Sequence, residues 1–174
     1  TYLTEQEVSE LVQAIDHVLI QLVVAFLYYT GLRISECLNL KIDDVDLNRQ
    51  MVHVRAGKGN KDRVVPLSDK IVPLLREYSD HVRPQTSDRF FATDKTGKLS
   101  PVYVNRVLAD TTEKLGWKKI VTAHILRHSF ASQLVKKDVN LVQIQKLLGH
   151  SSLKVTSIYT HADTDQLKDA VSVL

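Results

Sequence analysis

The chain has 174 residues, with 23 Lys and Arg against 20 Asp and Glu and a formal net charge of +3. That length suits one domain with a real core, and 44% hydrophobic against 25% charged residues excludes a disordered polyelectrolyte. A lone cysteine, Cys37, excludes an internal disulfide and suggests a reducing, cytoplasmic setting.

Thr4 followed by Glu7 is a capping-box pattern, and it opens a helix through Ala14. Residues 18–30 form a mostly apolar, buried helix. Its apolar run, Val18 to Leu27, is broken by Gln21 and too short to span a bilayer, so no membrane segment is expected. Gly31 interrupts the helix, and a further one runs through Leu40. From Val45 the period changes: Met51, Val52 and Val54 form one strand, and Arg63 to Leu67 another. GKGNKD between them is a hairpin turn. Ser68 caps a helix running to Val82. Pro84 to Ser87 is a loop, Phe90–Phe91 a short strand, and TDKTGKLS another loop. The remainder reads as helices over 101–115, 124–136, 140–148, 152–157 and 164–172. The fold class is mainly α with a small antiparallel β-sheet, in a single domain over 1–174. The chain opens on TYLTEQE without an initiator methionine, so it reads as a fragment of a longer protein.

Four segments carry candidate chemistry. In HILRHSFASQLV, Leu126, Phe130 and Leu134 fall at four-residue steps and face the core, while His124 and Arg127 share another face. A histidine and a guanidinium there suit an anionic oxygen. His124 and His128 also have metal-ligand spacing, but no neighbouring Glu or Cys completes a zinc set, and no metal or cofactor is expected. TGLRISE places Arg33 at a helix start, where an arginine adds a forked anion contact, and Glu36 can orient it from behind. GKGNKDR carries Lys58 and Lys61 in a turn whose glycines permit close approach to another molecule, with Arg63 just beyond. LGHSSLKVTSIYTH puts His150 nine residues before Tyr159, with Gly149 ending the preceding helix in left-handed geometry. Each segment alone also fits an ordinary structural role: a surface His–Arg pair, a surface ion pair, a solvated basic turn, a packing tyrosine. Their joint presence points elsewhere. Five basic side chains around a phenol suit attack of a tyrosine on a phosphodiester held by arginines.

Together these segments resemble the catalytic domain of the tyrosine recombinases, the phage-integrase and Xer-like family, from about Leu3 to Leu167. The family's G-L-R-x-S-E falls on Gly31 to Glu36, its hairpin lysine on Lys58, and its H-x-L-R-H on His124 to His128. Its L-G-H gives His150, and its Y-x-H gives the nucleophile, Tyr159. The resemblance implies that fold, and catalytic roles for Arg33, Lys58, His124, Arg127, His150 and Tyr159. It implies metal- and ATP-independent strand exchange on double-stranded DNA, through a 3′-phosphotyrosyl link and a freed 5′-hydroxyl. It implies a homo-tetramer on two duplexes, and a monomer or weak oligomer without DNA. The family's separate N-terminal DNA-clamping domain is not in this chain. In the family the C-terminal helix, here with Leu167, Val171 and Leu174, docks on a neighbouring subunit; without DNA it is expected to fold back on its own body or be exchanged.

The residue types agree with these roles. Arg33 and Arg127 supply permanent charge. Tyrosine ordinarily titrates near ~10, and nearby cations favour its phenolate. His124 suits a base or proton relay, Lys58 a general acid for the leaving 5′-oxygen, and His150 a hydrogen-bond donor to a phosphate oxygen. One departure is Asp138, where the family has glycine; Asp tolerates the left-handed turn expected there. Two other functions use overlapping parts: a type IB topoisomerase, and a noncatalytic helix-turn-helix module reading DNA with 124–148.

Overall fold

The computed structural model describes residues 2–55, 61–149 and 161–174, with the backbone alone for 161–163. Among them run α1 (Glu5–Ala14), α2 (Val18–Thr30), α3 (Ile34–Leu38), β1 (Val45–Asp46), β2 (Met51–Val54) and β3 (Arg63–Pro66). Then follow α4 (Val72–Glu77), α5 (Pro101–Lys114), α6 (Ala123–Lys136), α7 (Leu141–Leu148) and α8 (His161–Ser172). The architecture is mainly α with one small antiparallel sheet, as expected. No described helix is long and apolar enough to cross a membrane.

The core is organised around α2 and α6. Ile20, Val23, Val24, Phe26 and Leu27 of α2 are fully buried, as are Leu126, Phe130 and Leu134 of α6. Each such side chain contributes roughly 1.5–3 kcal/mol by leaving water. The two helices meet closely at Gly31, which ends α2 with φ +70. A Cβ there would lie 2.3 Å from Phe130 Cδ1, so no larger residue fits. The capping box of α1 forms on both arms: Glu7 N donates to Thr4 Oγ1, and Thr4 N to Glu7 Oε1, both at 3.1 Å. Leu3 N then donates to Ser129 Oγ at 2.8 Å, which ties the start of the described chain to α6.

The sheet has order β1-β2-β3, all antiparallel. β2 and β3 pair Val52 with Val65 and Val54 with Arg63. Side chains alternate between faces along a strand. Arg63 therefore shares the inward face with Val65, and Arg63, Val52, Val54 and Val65 are all buried. Residues 57–60 of the hairpin turn, with Lys58, lie outside the described residues.

Four elements depart from expectation. β1 is a third strand of only two residues, too short for an alternation to show. The helix after Gly31 stops at Leu38 rather than Leu40. The helix expected from Ser68 begins at Val72, because Ser68 O accepts from both Ile71 N and Val72 N in a preceding turn; it continues as a π-helical turn, Tyr78–Val82. Phe90–Phe91 is not a strand; only a single bridge joins Lys41 to Arg89. The two rings pack with Phe26 and Tyr78 instead, Phe26 and Phe91 standing 5.1 Å apart edge to face. Arg83 holds that loop by donating to the carbonyls of Pro84, Ser87, Arg89 and Phe90. The helix expected over 152–157 lies outside the described residues.

Asp138 takes the left-handed conformation expected of it, with φ +61. At the other end of the chain, α8 packs on its own body against α7 and β3. Leu167, Ala170, Val171 and Leu174 are buried, and Lys70 Nζ donates to Leu174 O at 2.5 Å.

Candidate active site

Arg127 sits on the buried side of α6 and is 6% exposed. Its Nη1 donates to Gly31 O at 2.7 Å and its Nη2 to Leu148 O at 2.8 Å. Those carbonyls lie where α2 and α7 end, where helices leave acceptors unsatisfied. One guanidinium thus locks three helices together. Burial pushes Arg127 down to about 10, helped by the charges of Arg33 and Arg63 and opposed by Glu36. At neutral pH it still carries its proton.

Arg33 is the N-cap residue of α3, and its side chain is 48% exposed. The turn from Gly31 delivers it beside Arg127, close enough for the two charges to repel. Its backbone N–H is not left over for an anion, because it donates to Glu36 Oε1 at 2.9 Å. Its Nη1 stands 3.4 Å from Glu36 Oε2, so the expected orienting contact exists and is long.

Glu36 makes its tighter contacts with a residue not among the six candidates. Arg63 Nη1 and Nη2 donate to Glu36 Oε2 and Oε1 at 2.6 and 3.0 Å. Burial pushes the Glu36 carboxyl up, but the Arg63 hydrogen bonds and charge, with those of Arg33, outweigh it and hold the carboxyl below its ordinary value. Arg63 Nε reaches Leu147 O at 2.8 Å, and a Cβ on Gly149 would lie 2.8 Å from Arg63 Nη1. Strand parity was the signal for this residue, since Arg63 sits two positions from Val65.

His124 lies in the first turn of α6 and is exposed. The shared face expected for His124 and Arg127 is divided: the arginine is buried and the imidazole is not. His124 Nε2 and His128 Nε2 are 2.9 Å apart, so one ring donates while the other accepts. Partial desolvation lowers the His128 pKa, and the neighbouring charges of His124 and Arg127 lower it further. Lys58, His150 and Tyr159 lie outside the described residues. The structure thus gathers Arg33 and Arg127, expected together, with Glu36 and Arg63 between the segments. Arg33, Arg63 and Arg127 against Glu36 leave an excess of positive charge in a region partly closed to water, which an anion would offset.

A sequence profile of the phage integrase family matches residues 1–166. The tyrosine recombinase XerA of Pyrococcus furiosus is 43% identical over 176 residues, covering 97% of this chain and 60% of the relative. The crystal structure of XerA recombinase superposes with a TM-score of 0.80 at 36% identity, over 97% of this chain and 63% of that one. A XerH site-specific recombinase solved on its difH substrate in a pre-cleavage complex matches with a TM-score of 0.72 at 30% identity, over 87% of this chain and 47% of that one. The chain spans about 60% of the length of the first curated relatives it matches. With its segments in family order and its two arginines in one cluster, the chain belongs to the phage integrase family.

Proposed function

We propose that this chain is the strand-cleaving region of a Xer-like tyrosine recombinase acting in site-specific recombination on double-stranded DNA. The observation that carries the reading is the cluster of Arg33, Arg63 and Arg127 around the single carboxylate of Glu36. Arg33 and Arg127 hold the non-bridging oxygens of a scissile phosphate and offset the charge that grows on them. The Tyr159 oxygen attacks phosphorus, giving up its proton with His124 as base or relay. The bond to the 5′-oxygen breaks, and Lys58 protonates that oxygen as it leaves. His150 donates to a phosphate oxygen. A 5′-hydroxyl of a second strand then attacks the phosphotyrosine and restores the phenol. The ester energy stays in the linkage, so neither ATP nor a cofactor enters the balance.

The names of the relatives favour recombination over type IB relaxation. The working unit is a homo-tetramer on two duplexes, and a mass measurement of the DNA complex giving two subunits only would contradict it. Residence is cytoplasmic; recovery with the membrane fraction of lysed cells would contradict that.

The test is a duplex nicked beside the cleavage site, which traps the covalent product. The protein should form a denaturation-resistant adduct whose peptide map ends on Tyr159, and Tyr159→Phe should form none. An adduct that survives Tyr159→Phe removes the assigned nucleophile. DNA binding without any adduct from the unmutated protein favours the noncatalytic module.

A further inference from the structure

Glu36 holds two guanidinium groups unequally. Arg63 meets it as a fork at 2.6 and 3.0 Å, and Arg33 stands off at 3.4 Å. Glu36 and Arg63 are buried, whereas the Arg33 side chain is about half exposed. A buried carboxylate requires partners, and a forked, charge-assisted pair satisfies it most completely. With both oxygens occupied by Arg63, Glu36 has little to gain by drawing Arg33 closer. Arg63 is itself fixed, because Nε is bonded to Leu147 O and the side chain packs beneath Gly149. Leu147 is followed by Leu148, whose carbonyl Arg127 holds. Arg63 therefore joins α3, β3 and the end of α7 at one point.

We propose that Arg63 is a positioning residue for DNA cleavage: by occupying Glu36 it keeps Arg33 available to the scissile phosphate. The role of Arg33 on phosphate rests on the recombinase reading above. Among the described residues, the charged groups facing Glu36 are Arg33 from its own helix, Arg63 from β3 and Arg127 from α6. Arg127 is committed to Gly31 and Leu148. Without Arg63, the buried carboxylate takes Arg33, which sits three residues away and already within reach. Arg33 is then withdrawn from substrate by a tighter ion pair. Glu36 captures only when charged, so protonating it releases Arg33.

Arg63→Met keeps length and removes the fork. At saturating nicked duplex its adduct-forming rate should fall about 100-fold, the size of losing one preorganised contact to the reacting phosphate, with DNA affinity changed much less. Arg63→Met/Glu36→Gln should recover at least about tenfold of that loss, since the captor is gone. Lowering the pH from about 8 to about 5 should narrow the gap between Arg63→Met and the unmutated protein, and the double variant should show no such narrowing. A double variant no faster than Arg63→Met, or a gap that ignores pH, overturns the proposal and leaves Arg63 a purely structural brace. If Arg63→Met does not fold, Arg63→Lys serves, because a single ammonium leaves one Glu36 oxygen for Arg33. A crystal structure of whichever variant folds decides independently of cleavage. An Arg33–Glu36 contact closed to about 2.8 Å supports capture, and one still as long as in the unmutated chain sinks it. Absence of adduct from the unmutated protein would defeat the recombinase reading alone, and the Arg33–Glu36 distance would still decide this one.

Discussion

Helix α6 has two sides, and they hold charge in opposite ways. On the inner side Arg127 is buried, bonded to two helix-end carbonyls, and charged at any physiological pH despite burial and two neighbouring guanidiniums. On the outer side, within the same first two turns, His124 and His128 are exposed and bonded to each other. Under the proposed recombinase chemistry, this difference would separate two tasks. An arginine fixed by backbone carbonyls would carry the charge that must always be present. His124, which water can reach, would handle the proton that must move.

The sharpest way to break this contrast is to loosen the inner charge. Arg127→Lys keeps a cation but cannot reach both Gly31 O and Leu148 O. Adduct formation should fall about 10²–10³-fold, as expected for losing an aimed donor at a reacting oxygen. Equal rates of single-turnover cleavage for the two proteins would remove Arg127 from its role. Gly31→Ala attacks the same site from the backbone. It meets Phe130 at 2.3 Å and must adopt φ +70, so stability should drop by about 2–4 kcal/mol in urea unfolding. An unchanged midpoint would mean that α2 and α6 do not meet as described. Gly149→Ala is milder. Its φ of +72 costs about 1 kcal/mol, and its methyl presses on Arg63, which three hydrogen bonds keep from moving aside. Cleavage should therefore suffer more than stability. Loss of stability with full cleavage would separate Gly149 from the Arg63 brace.

Much of this organisation is legible in the sequence. The capping box at Thr4, the buried run of α2, the left-handed turn at Asp138 and the inward row Leu126, Phe130, Leu134 follow from local rules that depend on a few neighbouring residues. The meeting of Arg33 and Arg127 followed from family order rather than from any period. What escaped depends on partners distant in sequence. β1 exists only because Val45 finds Val52 across a turn. Phe90 and Phe91 look like a strand, but the carbonyls of their loop are satisfied by Arg83 rather than by a neighbouring strand. Arg63 was hidden because a basic residue after a basic turn reads as solvated. Its burial required knowing that Glu36, 27 positions away, waits on the same face. The proposed roles of Lys58, His150 and Tyr159 rest on the family resemblance.

The smallest effect lies on the outer side of α6 and tests whether its rings are as loosely held as they look. Partial desolvation of the otherwise exposed ring, the largest cause, sets the His128 pKa below its ordinary value, and the charges of His124 and Arg127 act in the same direction. A histidine with a lowered folded pKa binds its proton more readily in the unfolded chain. Its contribution to stability is therefore present above the unfolded value, near ~6.5, and is lost as pH falls through the folded one. His128→Gln removes that dependence. Between about pH 7.5 and about pH 5 the unmutated protein should lose slightly more stability than the variant, with solvent screening keeping the difference to a few tenths of a kcal/mol. A variant that loses more than the unmutated protein over that range would reverse the sign. It would mean that His128 is charged in the folded chain, and that the outer side of α6 holds fixed charge as the inner side does.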